Sequence, residues 1–211
     1  VTSADEVTVF LAEGTTNSLA DGSGYTVAGD STPVAALASA SDLAIAGSGT
    51  LTVTGNTNDA INSSDGLVIA SGPTTVTAVD DGVRGKDYAY LLDGTLTVSA
   101  SGDGVKSDNV EDADRGWIRI DGGTLTVSQS DEGLESRNIG INGGTVAVTA
   151  SDDGINATAG TEAGGTEQDD GSLLSITGGN VTVNAGSDGI DSNGSASFTG
   201  GTITVTSGSG G

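Results

Sequence analysis

The sequence predicts an all-β protein, and more narrowly a parallel β-helix, a solenoid of about 22 residues per coil. Three observations carry this: apolar and polar residues alternate strictly, two anchors repeat in register, and glycines recur at fixed places between short runs. Thr95-Leu96-Thr97-Val98-Ser99, Thr124-Leu125-Thr126-Val127-Ser128 and Thr202-Ile203-Thr204-Val205-Thr206 each have the period of two that a half-buried strand needs. No segment shows a helical stripe.

The first anchor is the second inward residue after each glycine turn: Val53, Val76, Val98, Val127, Val148, Val183 and Val205. Its steps are 23, 22, 29, 21, 35 and 22 residues. The two long steps contain insertions, at 109–115 and 159–171. The second anchor follows an Asp-Gly-like turn: Ile61, Val83, Val105, Leu134, Ile155 and Ile190. It lies 8 residues after the first once and 7 residues after it five times. Three short strands in such a unit stack equivalent residues ~4.8 Å apart. Leucine-rich repeats lack their signature here, and an antiparallel sandwich would not keep two anchors in register. The N-terminal run from Val7 through Val27 is expected to form the first coils. Pro33–Ser41 is expected to cross one face as a lateral connection. A single domain, 1–211, follows, with no linker.

Composition narrows the chemistry. With 6 Lys plus Arg against 29 Asp plus Glu the net charge is −23, and there is no Cys, Met or His. Thiol and imidazole catalysis and Cys/His zinc sites are excluded. Nucleic-acid binding is disfavoured by the repulsion of phosphates. No run approaches the ~20 apolar residues of a membrane span. Disorder, the usual fate of acidic, glycine-rich chains, is opposed by the regular placement of the apolar residues. The start at Val1 suggests processing, or a piece of something longer.

Alignment of the coils turns sequence into columns. Asp59, Asp81, Asp103, Glu132, Asp153 and Asp188 share one place, with Asp80, Asp131 and Asp152 beside them. Carboxylates one coil apart repel by roughly 1 kcal/mol in water and ~3.5 kcal/mol at an effective dielectric of about 20. Either they splay into solvent or cations bridge them, and oxygen-only ligands suit Ca²⁺. Nearby Asn62, Asp65, Asp87, Asp108, Asn156, Asp191 and Asn193 could complete such sites. The alternative is that Asp simply initiates each turn. All six cations, Arg84, Lys86, Lys106, Arg115, Arg119 and Arg137, fall in one window. Arg84, Lys106 and Glu135 follow the acidic column and are expected to pair with it. Tyr88 and Tyr90 flank inward Ala89, and Trp117 and Arg119 flank inward Ile118. Tyr88 should therefore stack over Trp117, and Tyr90 over Arg119. Outward aromatics with Arg84, Lys86, Lys106 and Arg119 suit acidic sugars, unless they pack under the 109–115 insertion. A Thr rank (Thr95, Thr124, Thr145, Thr202) is compatible with ice binding, but Thr is also a common solvent-facing strand residue.

The strings Leu11–Leu19, Asp42–Val53, Asp80–Asp87 and Gly102–Asp108 resemble the bacterial "carbohydrate-binding domain-containing" proteins. The resemblance implies a secreted protein with a right-handed parallel β-helix of polysaccharide-lyase-like topology. It also implies Ca²⁺ between coils, at Asp81, Asp103 and their neighbours, and association with plant or acidic polysaccharides at the cell surface. Three functions are then expected in order: a non-catalytic, calcium-dependent carbohydrate binder; a subunit of a calcium-stabilised filament stacking end to end; and a polysaccharide lyase using Lys86 or Lys106. The Ser207–Gly211 tail has no obvious cap.

Overall fold

A computed structural model describes residues 1, 4–25, 34–159 and 169–208. Every regular element in it is a strand. The strands pair in parallel and form two sheets, one of 14 strands and one of 7. The register is the one the anchors predict. Val53 pairs with Val76, Val76 with Val98, Val98 with Val127, Val127 with Val148, Val148 with Val183, and Val183 with Val205.

The architecture differs from the predicted β-helix. A single right-handed solenoid with three separate strands per turn is replaced by two sheets of parallel strands, the larger a curled half-barrel. Two long strands make the difference. Gly66–Ala78 and Tyr88–Ser99 run unbroken through what the sequence presents as a corner, joining two ranks of strands into one sheet. Their mutual register shifts between Ile69 and Ala70 and between Ser71 and Pro73. Such a bulge bends a strand without ending it. Gly94, at φ 92°, lies in the second of these bends. A Gly-Pro or Asp-Gly pair looks the same in sequence whether it ends a ladder or only bends it.

Ala35–Ser39 is also corrected. It is no lateral connection but a strand of the smaller sheet, paired with Asp59–Ser63. Pro33 and Val27 lie outside the described residues, as do 160–168 of the second insertion and 209–211 of the tail.

The core follows from alternation. In Asn180–Ala185 every second residue is buried: Val181, Val183 and Ala185 point in, and Asn180, Thr182 and Asn184 point out. Stacked Leu, Ile and Val from both sheets fill the interior, with Ile45, Val53, Ile61, Val98, Leu134, Ile139 and Ile155 fully buried. Each such side chain contributes about 1.5–3 kcal/mol by leaving water. Outward positions of the smaller sheet and of the first rank of the larger one carry the polar and aromatic residues that matter below.

Candidate functional site

The acidic column lies where the chain enters the smaller sheet, and most of it is a hydrogen-bond ladder. The Asp81 amide donates to Asp59 Oδ1 (3.3 Å), the Asp103 amide to Asp81 Oδ1 (2.9 Å), and the Glu132 amide to Asp103 Oδ1 (3.2 Å). The Asp188 amide likewise donates to Asp153 Oδ1 (2.9 Å). Each carboxylate thus holds the backbone of the next repeat. Burial still disfavours its charge. Asp59 is pushed up to about 6 by burial, against a hydrogen bond from Asn62. Asp81 rises to about 7, again chiefly through burial. Asp153 is raised for the same reason.

Glu132 breaks the ladder. Its chain is one methylene longer than Asp, and it accepts from Asn156 Nδ2 (3.2 Å) through Oε1, while its buried Oε2 has no partner. Asn156 Oδ1 is buried without a partner as well. Burial, then the carboxylates of Glu135 and Asp103, push Glu132 up to about 8. Carboxylate oxygens of Asp103, Glu132 and Glu135 lie within 4.8 Å of one another. Lys106 Nζ donates to Asp103 Oδ2 at 2.5 Å and bonds Glu135 Oε2. Glu135 is held above its ordinary value even so, because burial and the adjoining Asp103 outweigh the ammonium. Converging carboxylate oxygens, with Glu132 Oε2 left without a partner, form a group that can hold a hard metal ion.

The other acidic candidates do not join this group. Asp87 is buried, pairs with Arg115 and accepts from Asn109 Nδ2 at 2.6 Å. Asp108 pairs with Arg84. Asp131 accepts from the Ser151 hydroxyl at 3.0 Å, while Asp80 and Asp152 are exposed. Asp188 and Asp191 are half-buried in the last described repeat.

The basic and aromatic candidates divide between the two sheets. Arg84 and Lys106 are neighbours on the smaller sheet, each engaged in ion pairs. Tyr88, Tyr90, Trp117 and Arg119 lie on the larger one, with Tyr88 opposite Trp117 and Tyr90 opposite Arg119. Lys86 is exposed between them. The Tyr88 and Tyr90 rings stack at 4.5 Å with 28° between planes, and the Arg119 guanidinium sits 5.5 Å from the Tyr90 centroid. Asp121 fixes that guanidinium from two oxygens and also accepts from Asn142 Nδ2 (2.8 Å). Tyr88 OH donates to Asp42 Oδ1 at 3.0 Å, and burial with this bond pushes the phenol up to about 12. The Tyr88 ring covers Gly66, where any Cβ would overlap it. Trp117 is half-buried beside the 109–115 loop, whose Arg115 is anchored on Asp87.

Sequence reasoning placed Glu135 as a pairing residue and missed it as part of the cluster. The signal was there: Glu135 follows Glu132 at the same spacing at which Lys106 follows Asp103. Gly66, Asp42, Asp121 and Asn142 were also missed, and only the cross-strand register reveals them.

Two sheets of parallel strands, a carboxylate cluster and an outward aromatic row define an all-β protein with a candidate binding face. The chain belongs to the carbohydrate-binding domain-containing protein family, whose model matches residues 1–211. Among solved structures it is similar to the polysaccharide lyase-like protein from C. thermocellum, studied as a gadolinium derivative. The TM-score is 0.66 and the identity 27%, over 95% of this chain and 69% of that one. No curated protein matches. Family and fold support a carbohydrate-binding or polysaccharide-related role. Among the described residues no helix is long and apolar enough to cross a membrane.

Proposed function

We propose that this protein binds polysaccharide outside the bacterial cell, without cleaving it, and that Ca²⁺ at the Asp103–Glu132–Glu135 cluster supports binding. The Tyr88–Tyr90–Arg119 row carries the reading: two stacked rings and a fixed guanidinium face outward from one strand pair. Rings of this kind pack against sugar faces, and the guanidinium matches a uronate carboxylate. The family description and the lyase-like neighbour support the substrate class. A lyase would need a neutral base, and in the ion-free cluster Lys106 is paired with both Asp103 and Glu135.

Retention on immobilised polygalacturonate and cellulose should be measured in Ca²⁺ and in chelator. Tyr90→Ala and Arg119→Ala should each weaken binding about ten-fold, and Gly66→Ala should do so by displacing the Tyr88 ring. No unsaturated product should absorb. Absence of retention on any glycan in Ca²⁺ would remove the reading.

A second reading, end-to-end assembly, has its own observation. Phe198 and Val205 are 51% and 42% exposed, and their column neighbours Ile176 and Val183 are 0% and 1%. Together with Ile190, Ala196 and Ile203 they line an opening at the end of the core. At the other end Phe10 and Leu19 are exposed. Among the described residues the end strands thus carry exposed apolar side chains, and exposed strand edges invite pairing. Light scattering in Ca²⁺ should show concentration-dependent growth, and a monodisperse monomer throughout would refute assembly.

A further inference from the structure

We propose that Lys106 is the resident cation of the Asp103–Glu132–Glu135 cluster, and that a divalent ion enters by exchanging with its ammonium. The inference rests on the calcium reading above and adds what holds the site when the ion is absent. Lys106, Glu135 and Asn156 are consecutive rungs of one column in the smaller sheet, so their side chains leave the same face. The ammonium bonds Asp103 Oδ2 and Glu135 Oε2. It leaves Glu132 Oε2 and Asn156 Oδ1, both buried, with nothing to accept from. Asn156 is only 9% exposed, and its amide nitrogen bonds Glu132.

An ammonium has three directional donors. It spends two on Asp103 and Glu135 and leaves Glu132 Oε2 bare in a group whose oxygens converge from three carboxylates. A calcium ion takes six to eight oxygens without directional demand, so it suits this donor set better than the lysine does. The two cannot share it, because both charges would contend for Asp103 Oδ2 and Glu135 Oε2. Lys106 has a way out: its side chain is 24% exposed, on a flexible four-carbon stem. Exchange moves one positive charge from the cluster to the surface, on the rung beside Arg84. A carboxylate of an acidic polymer can meet it there. Ion loading and recognition of an anionic chain are thereby linked through one side chain.

The chain has two lysines, Lys86 and Lys106. Labelling with [¹⁵N]lysine therefore gives two ammonium signals in the intact protein. In chelator the Lys106 signal should show slowly exchanging, hydrogen-bonded protons, and Ca²⁺ should convert it to fast exchange like that of Lys86. Calorimetry should show Lys106→Met binding Ca²⁺ about ten-fold more tightly than the natural chain. If Ca²⁺ binds but the Lys106 signal does not move, or the variant binds no more tightly, the exchange is wrong while the calcium reading stands. If neither protein binds Ca²⁺, the calcium reading falls and takes the exchange with it.

Discussion

In chelator, the melting temperature should fall steadily as the pH rises from about 4 to about 8, and Ca²⁺ should restore the part of the loss that Glu132 contributes. The expectation comes from acids whose charge the fold disfavours. Asp59 is completely buried and held at about 6, Asp81 at about 7, and Glu132 at about 8. In the unfolded chain such groups ionise near 4. Between those values the folded chain keeps protons that the unfolded chain has released. Raising the pH therefore favours unfolding. The stability these groups contribute is whole below about pH 4 and is lost as each folded value is passed. For Asp59 alone the loss is of order 3 kcal/mol. Asp121 is lowered by Arg119 and acts in the opposite sense, but it titrates near or below the start of this window and opposes the trend little. A bound divalent ion reverses the preference at Glu132 and its neighbours, because it favours the ionised form. Equal ionic strength from a monovalent salt should recover far less. A melting temperature in chelator that rises across this range would sink the account.

Register was legible in the sequence because a period of two puts every second residue into the core. Val98 and Val127 had to face the same interior once both followed a glycine turn. The acidic column was legible for the same reason. What each carboxylate does was not. Asp81 reaches the amide of Asp103 because Asp is short, whereas Glu132 overshoots and leaves an oxygen bare. That difference of one methylene separates a structural ladder from a group able to hold a metal ion. The continuous strands Gly66–Ala78 and Tyr88–Ser99 escaped notice because a bend and a break share the same glycines. The aromatic row was found from spacing, since Tyr88 and Tyr90 lie two apart on one face. Their contact with each other, and the glycine beneath Tyr88, needed the cross-strand neighbours at Gly66 and Val68.

Gly154→Ala should destabilise the protein by roughly 3 kcal/mol or more, while Gly140→Ala should be neutral or slightly stabilising. The substitutions are chemically identical, and neither glycine has a positive φ, so backbone strain does not separate them. Space does. A Cβ on Gly154 would overlap Val183 Cγ1 and lie 2.6 Å from the Gly189 carbonyl oxygen, with Ala185 Cβ at 3.5 Å. That carbonyl cannot retreat, because it accepts the Ile155 amide at 3.1 Å and so carries the ladder of the smaller sheet. Val183 is 1% exposed in a stacked column of valines and has nowhere to turn. The same arrangement recurs at Gly82 against Val98, Gly104 against Val127, Gly133 against Val148 and Gly189 against Val205. The glycine after Asp81, Asp103, Glu132, Asp153 and Asp188 therefore lets these column residues stand close to the core. Gly140 has nothing within 4 Å of a Cβ, so alanine there only restricts the unfolded chain. Thermal melts of the two variants at one pH and one Ca²⁺ concentration decide the matter. Similar melting temperatures for both would show that the tight turn tolerates a methyl group and that the repeated glycine has another cause.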